Sequence, residues 1–401
     1  MMYLAYQTQA TALWPLRALS RLATPWLLDP TLGLGGHVPQ RQLAAALEVM
    51  RLAEVTHRRP DWGIHEVGGQ AVVEEVVTST PFATLRRFAK PGAPEQPKVL
   101  ILAPMSGHFA TLLRDTVRTM LQDHDVHITD WHSGRDIPLA AGRFGLDEYV
   151  EHVMNFQRAL GPGAHLVAIC QPCVAALAAT ALMSEDQDPA TPASLTLMAG
   201  PIDCRISPTA VNQLATTKPI AWFEKNLISH VPLPLRGAGR RVYPGFVQLS
   251  AFMSMNQQRH IDAFRGYYVS LVEQDDEKSR ATRTFYEEYM AVADLPAEFY
   301  LETVRLVFQE YALPRGELFW RGRRVNPAAI RRTALVTVEG ERDDICAPGQ
   351  TLAAQDLCTS LRSYLRTHTV QAGVGHYGVF SGRRWQNHIY PMVRDVIHVS
   401  G

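Results

Sequence analysis

Apolar and polar positions change their spacing several times along the chain. Residues 1–65 carry apolar positions at helical intervals separated by polar breaks, which predicts a helical segment. Residues 70–79, rich in Val and Thr, and 83–89 read as two strands joined by a turn at Thr80, Pro81 and Phe82. A loop follows at Lys90, Pro91 and Gly92. Residues 99–103 are then wholly apolar, as in a strand buried on both faces. The pattern continues as a helix over 108–122, a strand over 126–131 and a helix over 146–160 that carries Tyr149, Val150, Val153, Met154 and Phe156. It ends with a strand over 165–169, a helix from Gln171 and a strand over 194–198. Alternation of this kind predicts a parallel sheet with helices on both faces.

The alternation stops at residue 205. Residues 205–325 are rich in Tyr, Phe, Trp, Met and Arg at helix-like spacing, for example Phe285 and Tyr286 with Tyr289 and Met290. Strand–helix order resumes with a strand over 334–338, a helix over 350–366, a strand over 368–371 and a last helix from about residue 383. The insertion follows the fourth parallel strand, a position that suits a lid over a site at the carboxyl ends of the strands. The expected organisation is an N-terminal helical segment (1–65), a core built from 66–204 and 331–401, and a helical lid or cap over 205–330.

Composition narrows the functions available. The length of 401 residues exceeds a typical single domain and fits a core with a large insertion. Lys+Arg and Asp+Glu number 39 each, so no basic field exists to hold nucleic acid. Zero net charge permits association with a surface, an assembly or other copies, a homo-oligomer included. Five cysteines are too few, and odd in number, for a disulfide scaffold, which favours a reducing, cytoplasmic setting. The first thirty residues lack a basic start, a pure apolar run and a cleavage site, so no signal peptide is read. Residues 166–184 are uncharged and nearly long enough to span a membrane. Gln171 and Pro172 interrupt them, and a buried strand, turn and helix explains them better than a transmembrane segment.

That uncharged stretch also carries the first candidate chemistry. Cys170 falls between the strand and the helix, where a G-x-S-x-G elbow places its nucleophile. The flanking small positions are Ala168 and Pro172 in place of glycines; Ala is small, and Pro is tolerated in the first turn of a helix. A thiol at a helix start is biased toward thiolate, the attacking species, and the Gln171 N–H would face a developing oxyanion. The alternatives are a buried structural cysteine, or a C-x-x-C redox pair of Cys170 with Cys173. A zinc site would need a second set of ligands, and there is no second cysteine pair.

Past the strand at 334–338, a G-x-x-D pattern counted from Gly340 places an acid at Asp343; counting back from Ile345 and Pro348 leaves Asp344 open, and Asp203 is a weaker rival. His376 sits on a glycine-rich loop after the last strand. Cys170, Asp343 and His376 thus occur in the order nucleophile, acid, base, the order of the α/β-hydrolase fold. The loop after the first buried strand is placed to donate the second oxyanion N–H, from Met105 or Ser106; the role of His108 is open.

These segments resemble a known family. VAICQPCVAALAA, APMSGHF, TDWHSGRDIP, TVEGERDDICAPGQT, GVGHYGVFSGRRW and the start MMYLAYQTQATALWPLRALS are similar to the intracellular polyhydroxyalkanoate (poly(3-hydroxybutyrate)) depolymerases, over nearly the whole chain. The resemblance implies an endo-acting hydrolase of stored polyester in cytoplasmic granules, releasing 3-hydroxybutyrate oligomers and monomer without metal or cofactor. It puts the family's nucleophile, acid and base on Cys170, the Asp343/Asp344 pair and His376. Asp130, Trp131 and the segment from Asp147 are more distantly similar to the polyester synthases, whose cysteine lies in a glycine-flanked box that Ala168 and Pro172 do not match. A synthase and a non-catalytic granule-coating protein are the rival readings.

Overall fold

The computed structural model describes residues 2–28, 38–255 and 257–400. Two N-terminal helices, α1 (Met2–Leu28) and α2 (Val38–Leu52), lead in. The rest of the predicted helical segment is not helical over 53–65, and residues 29–37 lie outside the described residues.

Eight strands form the central sheet: β1 (Val73–Ser79), β2 (Ala83–Ala89), β3 (Lys98–Leu102), β4 (Asp125–Trp131), β5 (His165–Ile169), β6 (Ser194–Met198), β7 (Ala334–Gly340) and β8 (Arg366–Gln371). Their spatial order is β1-β2-β4-β3-β5-β6-β7-β8. Only β2 runs against the rest; from β4 to β8 every pairing is parallel. This is the α/β-hydrolase fold. The central strands β5, β6 and β7 are buried along their whole length, which explains why their sequences lack the alternation of a half-exposed strand. Edge strand β1 is exposed throughout and its register shifts between Val76 and Thr78, a bulge of the kind that blunts edge-to-edge pairing.

Helices α3 (Arg114–Met120), α4 (Leu146–Leu160) and α5 (Cys173–Glu185) cover the sheet. Every side chain of α5 from Cys173 to Met183 is buried, so its Ala-rich sequence is the small-residue filling of a central helix. Three predicted helices are shorter than expected. The helix over 108–122 begins with one 3-10 turn at Ala110–Leu113, because the backbone before it is committed elsewhere: the Ala103 N–H donates to Thr129 Oγ1, and the Gly107 carbonyl accepts from the Ala293 N–H. The helix expected from Gln171 starts at Cys173, with Pro172 as its N-cap. The helix over 350–366 is reduced to Ala353–Leu357. Its entry is taken by buried Glu339, which accepts the N–H groups of Gly349, Thr351 and Leu352, and its exit by Arg366, which donates to the carbonyls of Gln355, Cys358 and Leu361.

Between β6 and β7 lie α6 (Ala210–Thr216), α7 (Ile220–Leu227), α8 (Gly245–Met255), α9 (Gln257–Glu273), α10 (Asp276–Tyr289) and α11 (Ala297–Thr303). They accompany a small antiparallel sheet of Ser229–His230, Arg241–Tyr243 and Leu295–Pro296, whose two- and three-residue strands are too short to leave a periodic signal. The N-terminal helices join this layer. Leu52 of α2 shares an apolar cluster with Leu249, Tyr267, Tyr286 and Tyr289, and the Tyr6 ring stacks on Phe246 at 3.9 Å. Buried Asp294 ties the pieces together: it accepts from Tyr3 Oη (2.6 Å) and the Gly245 N–H (2.9 Å), while its own N–H donates to Ser133 Oγ.

Candidate active site

The sequence-predicted residues come from four strand ends. Cys170 follows β5, Met105 and Ser106 follow β3, Asp343 follows β7 and His376 lies on the loop after β8. All are carboxyl ends of parallel strands, where the backbone leaves the sheet and can converge on a ligand.

Cys170 adopts φ +65°, a left-handed conformation unusual for a residue with a side chain. The Cys170 N–H donates to the Met198 carbonyl at the end of β6 (2.8 Å), and the Cys173 N–H donates to the Cys170 carbonyl (3.1 Å), so the corner is clamped on both sides. Cys170 is partly exposed, whereas Cys173 is buried beneath it with its thiol directed at the Ala168 carbonyl. The two sulfurs of the C-x-x-C segment therefore do not face each other as a redox pair. Burial pushes the Cys173 thiol well up.

His376 is buried, and its Nδ1–H donates to Asp343 Oδ2 at 2.8 Å. Asp343 Oδ1 accepts the N–H groups of Ile345 (2.9 Å) and Cys346 (2.8 Å), which fixes the carboxylate so that its other oxygen meets the imidazole. Asp344 is exposed and makes no hydrogen bond to His376; Asp203 is engaged with Arg205. Gly340 allows the approach of the two loops, because a Cβ there would lie 2.7 Å from the Val374 carbonyl.

The other side of the His376 ring meets Cys170. Three influences act on the Cys170 thiol: a hydrogen bond from Cys346 stabilises the thiolate, burial opposes it, and His376 supports it, with the net effect well below the ordinary thiol range. For His376, burial disfavours the charge, but the Cys170 sulfur and Asp343 outweigh it and raise the pKa to about 10. The two shifts reinforce each other, since each charge favours the other. Cys346, three residues past Asp343, was not singled out by sequence; a D-x-x-C spacing on the acid loop was the available signal.

Around the corner, the amide N–H groups of Gln171 and Ser106 carry no intramolecular acceptor among the described residues. The Met105 N–H is held by Gln171 Oε1 at 3.3 Å, a long bond. The loop is tied to the helical layer by Gln248, whose side-chain amide donates to the Ser106 carbonyl. It is also tied by His108, whose Nε2–H donates to the Tyr289 carbonyl at 3.1 Å; burial pushes this imidazole down to about 4, so it is neutral and structural. Sequence had left His108 open and passed over Gln248. A cavity of about 560 Å³ opens onto His376 and is lined by Phe252, Phe285, Tyr286, Tyr289, Arg342 and Tyr377. Among the described residues no group of His, Cys, Asp or Glu is placed to hold a metal ion, and no helix is long and apolar enough to cross a membrane.

Solved structures of similar fold include a thermophilic esterase from Thermogutta terrifontis (13% identity, 81% of this chain and 98% of that one, TM-score 0.44). Others are a meta-cleavage product hydrolase from Pseudomonas fluorescens (15%, 82% and 99%, TM-score 0.44) and a monoacylglycerol lipase from Paleococcus ferrophilus (12%, 77% and 97%, TM-score 0.42). At these distances the sheet order, not the likeness, defines the fold. No curated protein matches the chain. The family described as PHB de-polymerase C-terminus matches residues 199–400, just over half of the chain. The chain therefore belongs to the PHB de-polymerase family and is an ester hydrolase on the α/β-hydrolase fold.

Proposed function

We propose that this enzyme hydrolyses poly(3-hydroxybutyrate) on cytoplasmic granules by a Cys170–His376–Asp343 triad, through a 3-hydroxyacyl thioester on Cys170. The observation that carries the reading is the His376 ring held by Asp343 at 2.8 Å on one side and meeting, on the other, a cysteine at a strained strand–helix corner. The Cys170 thiolate attacks a chain ester carbonyl. The oxyanion is received by the Gln171 N–H and by N–H groups of the Met105–Ser106 loop, where it displaces Gln171 Oε1 from Met105. His376 gives its proton to the departing alcohol end of the chain, then takes one from the water that cleaves the thioester. No step requires a metal or cofactor.

Residues 205–330 act as a lid in this reading. Its aromatic face beside His376 would seat the apolar polyester backbone, and Phe285, 40% exposed in the cavity wall, is the ring best placed to do so. The test is cleavage of amorphous polymer and of a small soluble ester by Cys170→Ala. Loss of both activities, by about 10³-fold or more, is expected. Retained activity would remove Cys170 from the mechanism. Supplied with 3-hydroxybutyryl-CoA, the wild type should not release CoA while extending polymer; if it does, the enzyme is a synthase.

A further inference from the structure

The triad uses only one of the sulfurs near the site. Four of the five cysteines lie within electrostatic range of one another around the nucleophile corner, all as free thiols: Cys170, Cys173, Cys346 and Cys204. Their settings differ. The Cys173 thiol is turned into the fold, toward the carbonyls of Ala168 (3.3 Å) and Met198 (3.7 Å). The Cys204 thiol is buried and points at the Pro201 carbonyl (3.8 Å). Cys346 instead lies close enough to Cys170 for the two thiols to interact directly. Its backbone is pinned by the 2.8 Å bond to Asp343 Oδ1, so the triad acid itself holds this second thiol at the nucleophile. A serine hydroxyl could make the same contact without being oxidisable. A thiol there places a potential resolving cysteine beside a thiolate-biased, partly exposed one, the pairing found at redox-sensitive cysteines.

We propose that Cys170 and Cys346 form a reversible oxidation site whose co-substrate is a hydroperoxide. The Cys170 thiolate attacks the terminal oxygen of the peroxide. An S–O bond forms, the O–O bond breaks, and the leaving oxygen departs as water or an alcohol after taking a proton from His376. The Cys346 sulfur then attacks the sulfenic sulfur; the S–S bond forms and the hydroxyl leaves as water with the Cys346 proton. Two thiols lose two electrons, and the peroxide gains them. The disulfide removes the nucleophile and protects it from irreversible over-oxidation, and a dithiol restores both sulfurs. That oxidation stops turnover rests on Cys170 being the nucleophile; that the bond forms does not.

The full chain is treated with hydrogen peroxide in small excess, quenched with an alkylating agent, and followed by intact mass, peptide mapping and ester cleavage before and after dithiothreitol. The wild type should lose about 2 Da, yield a linked Cys170–Cys346 peptide, and recover most of its own starting activity on reduction. Cys346→Ser and Cys346→Ala, each compared with its own untreated activity, should form no link and gain about 32 Da at Cys170, with about a tenth or less of activity recovered. A link from Cys170 to Cys173 or Cys204, a wild type that over-oxidises without linking, or a Cys346 variant that recovers like the wild type would overturn the proposal. A wild type that links Cys170 to Cys346 yet keeps cleaving ester would leave the oxidation site standing and refute Cys170 as the nucleophile.

Discussion

The sheet and the helical layer above it solve different problems. Strands β5, β6 and β7 are buried on both faces, and the loops after β5 and β7 carry the proposed nucleophile and acid on clamped backbone: the Cys170 N–H is tied to β6, and the Asp343 carboxylate is held by two amides. The layer between β6 and β7 holds Tyr286 and Tyr289 in its own cluster along the cavity wall, leaves Phe285 more exposed in that wall, and leaves Trp222 and Phe319 in solvent. The first arrangement suits chemistry, which needs reacting groups fixed to fractions of an ångström. The second suits a surface that meets a long, featureless chain. If the division is right, changes in the core lower turnover on every ester, and changes in the layer discriminate between polymer and small ester.

After the nucleophile itself, the largest effect should come from the acid. Asp343→Asn removes the acceptor that orients His376, and kcat should fall by about 10²–10⁴-fold on polymer and small ester alike. Asp344→Asn should change kcat by less than about threefold, because its carboxylate is exposed and off the imidazole. The reverse ranking, measured by steady-state kinetics, would reassign the acid.

The pH dependence comes next. With Cys170 well below the usual thiol range and His376 raised to about 10, the ion pair exists between those two values. Activity should fall on the acid side as the thiolate is protonated and on the alkaline side, near pH 10, as the imidazolium loses its proton. Rapid alkylation of Cys170 at neutral pH should accompany it; alkylation that titrates near 9, like a free thiol, would contradict the pair.

Within the layer, Phe285→Ala should lower kcat/KM on polymer by about 3–10-fold while leaving a small soluble ester within about twofold. Equal losses on both would dissolve the distinction between core and layer. The smallest effect on chemistry belongs to Tyr3→Phe. It strips a 2.6 Å donor from buried Asp294 and should cost about 1–3 kcal/mol of stability with kcat little changed, read by thermal or urea unfolding. Burial raises Asp294 to about 6, so the folded chain binds that proton more tightly than the unfolded one. Stability from this group is present below the unfolded pKa and declines as pH rises toward about 6; Tyr3→Phe should steepen that decline.

How much of this was legible in the sequence depended on whether a feature was local. The strands over 165–169 and 194–198 and the helix over 146–160 read from pattern with their observed bounds, because each is fixed by its own apolar run. Cys170 was visible as a strand–helix junction, and Asp343 and His376 as strand-end loops. What escaped depends on partners far along the chain. The shortened helix after Glu339 ends where Arg366 takes its carbonyls. Gln248 reaches Ser106 from 142 residues away, and Asp294 receives Tyr3 from 291 residues away. The Cys346 thiol at Cys170 likewise follows from folding two strand ends together; the D-x-x-C spacing marks Cys346 on the acid loop but not its partner.

The most direct test of the central claim is to trap the enzyme in turnover. Rapid acid quench during cleavage of a 3-hydroxybutyrate oligomer, followed by peptide mass analysis, should find a 3-hydroxyacyl group on Cys170, bound as a thioester that hydroxylamine releases. Enzyme quenched at full turnover with Cys170 unmodified and the acyl group on Ser106, or on no residue at all, would contradict the account.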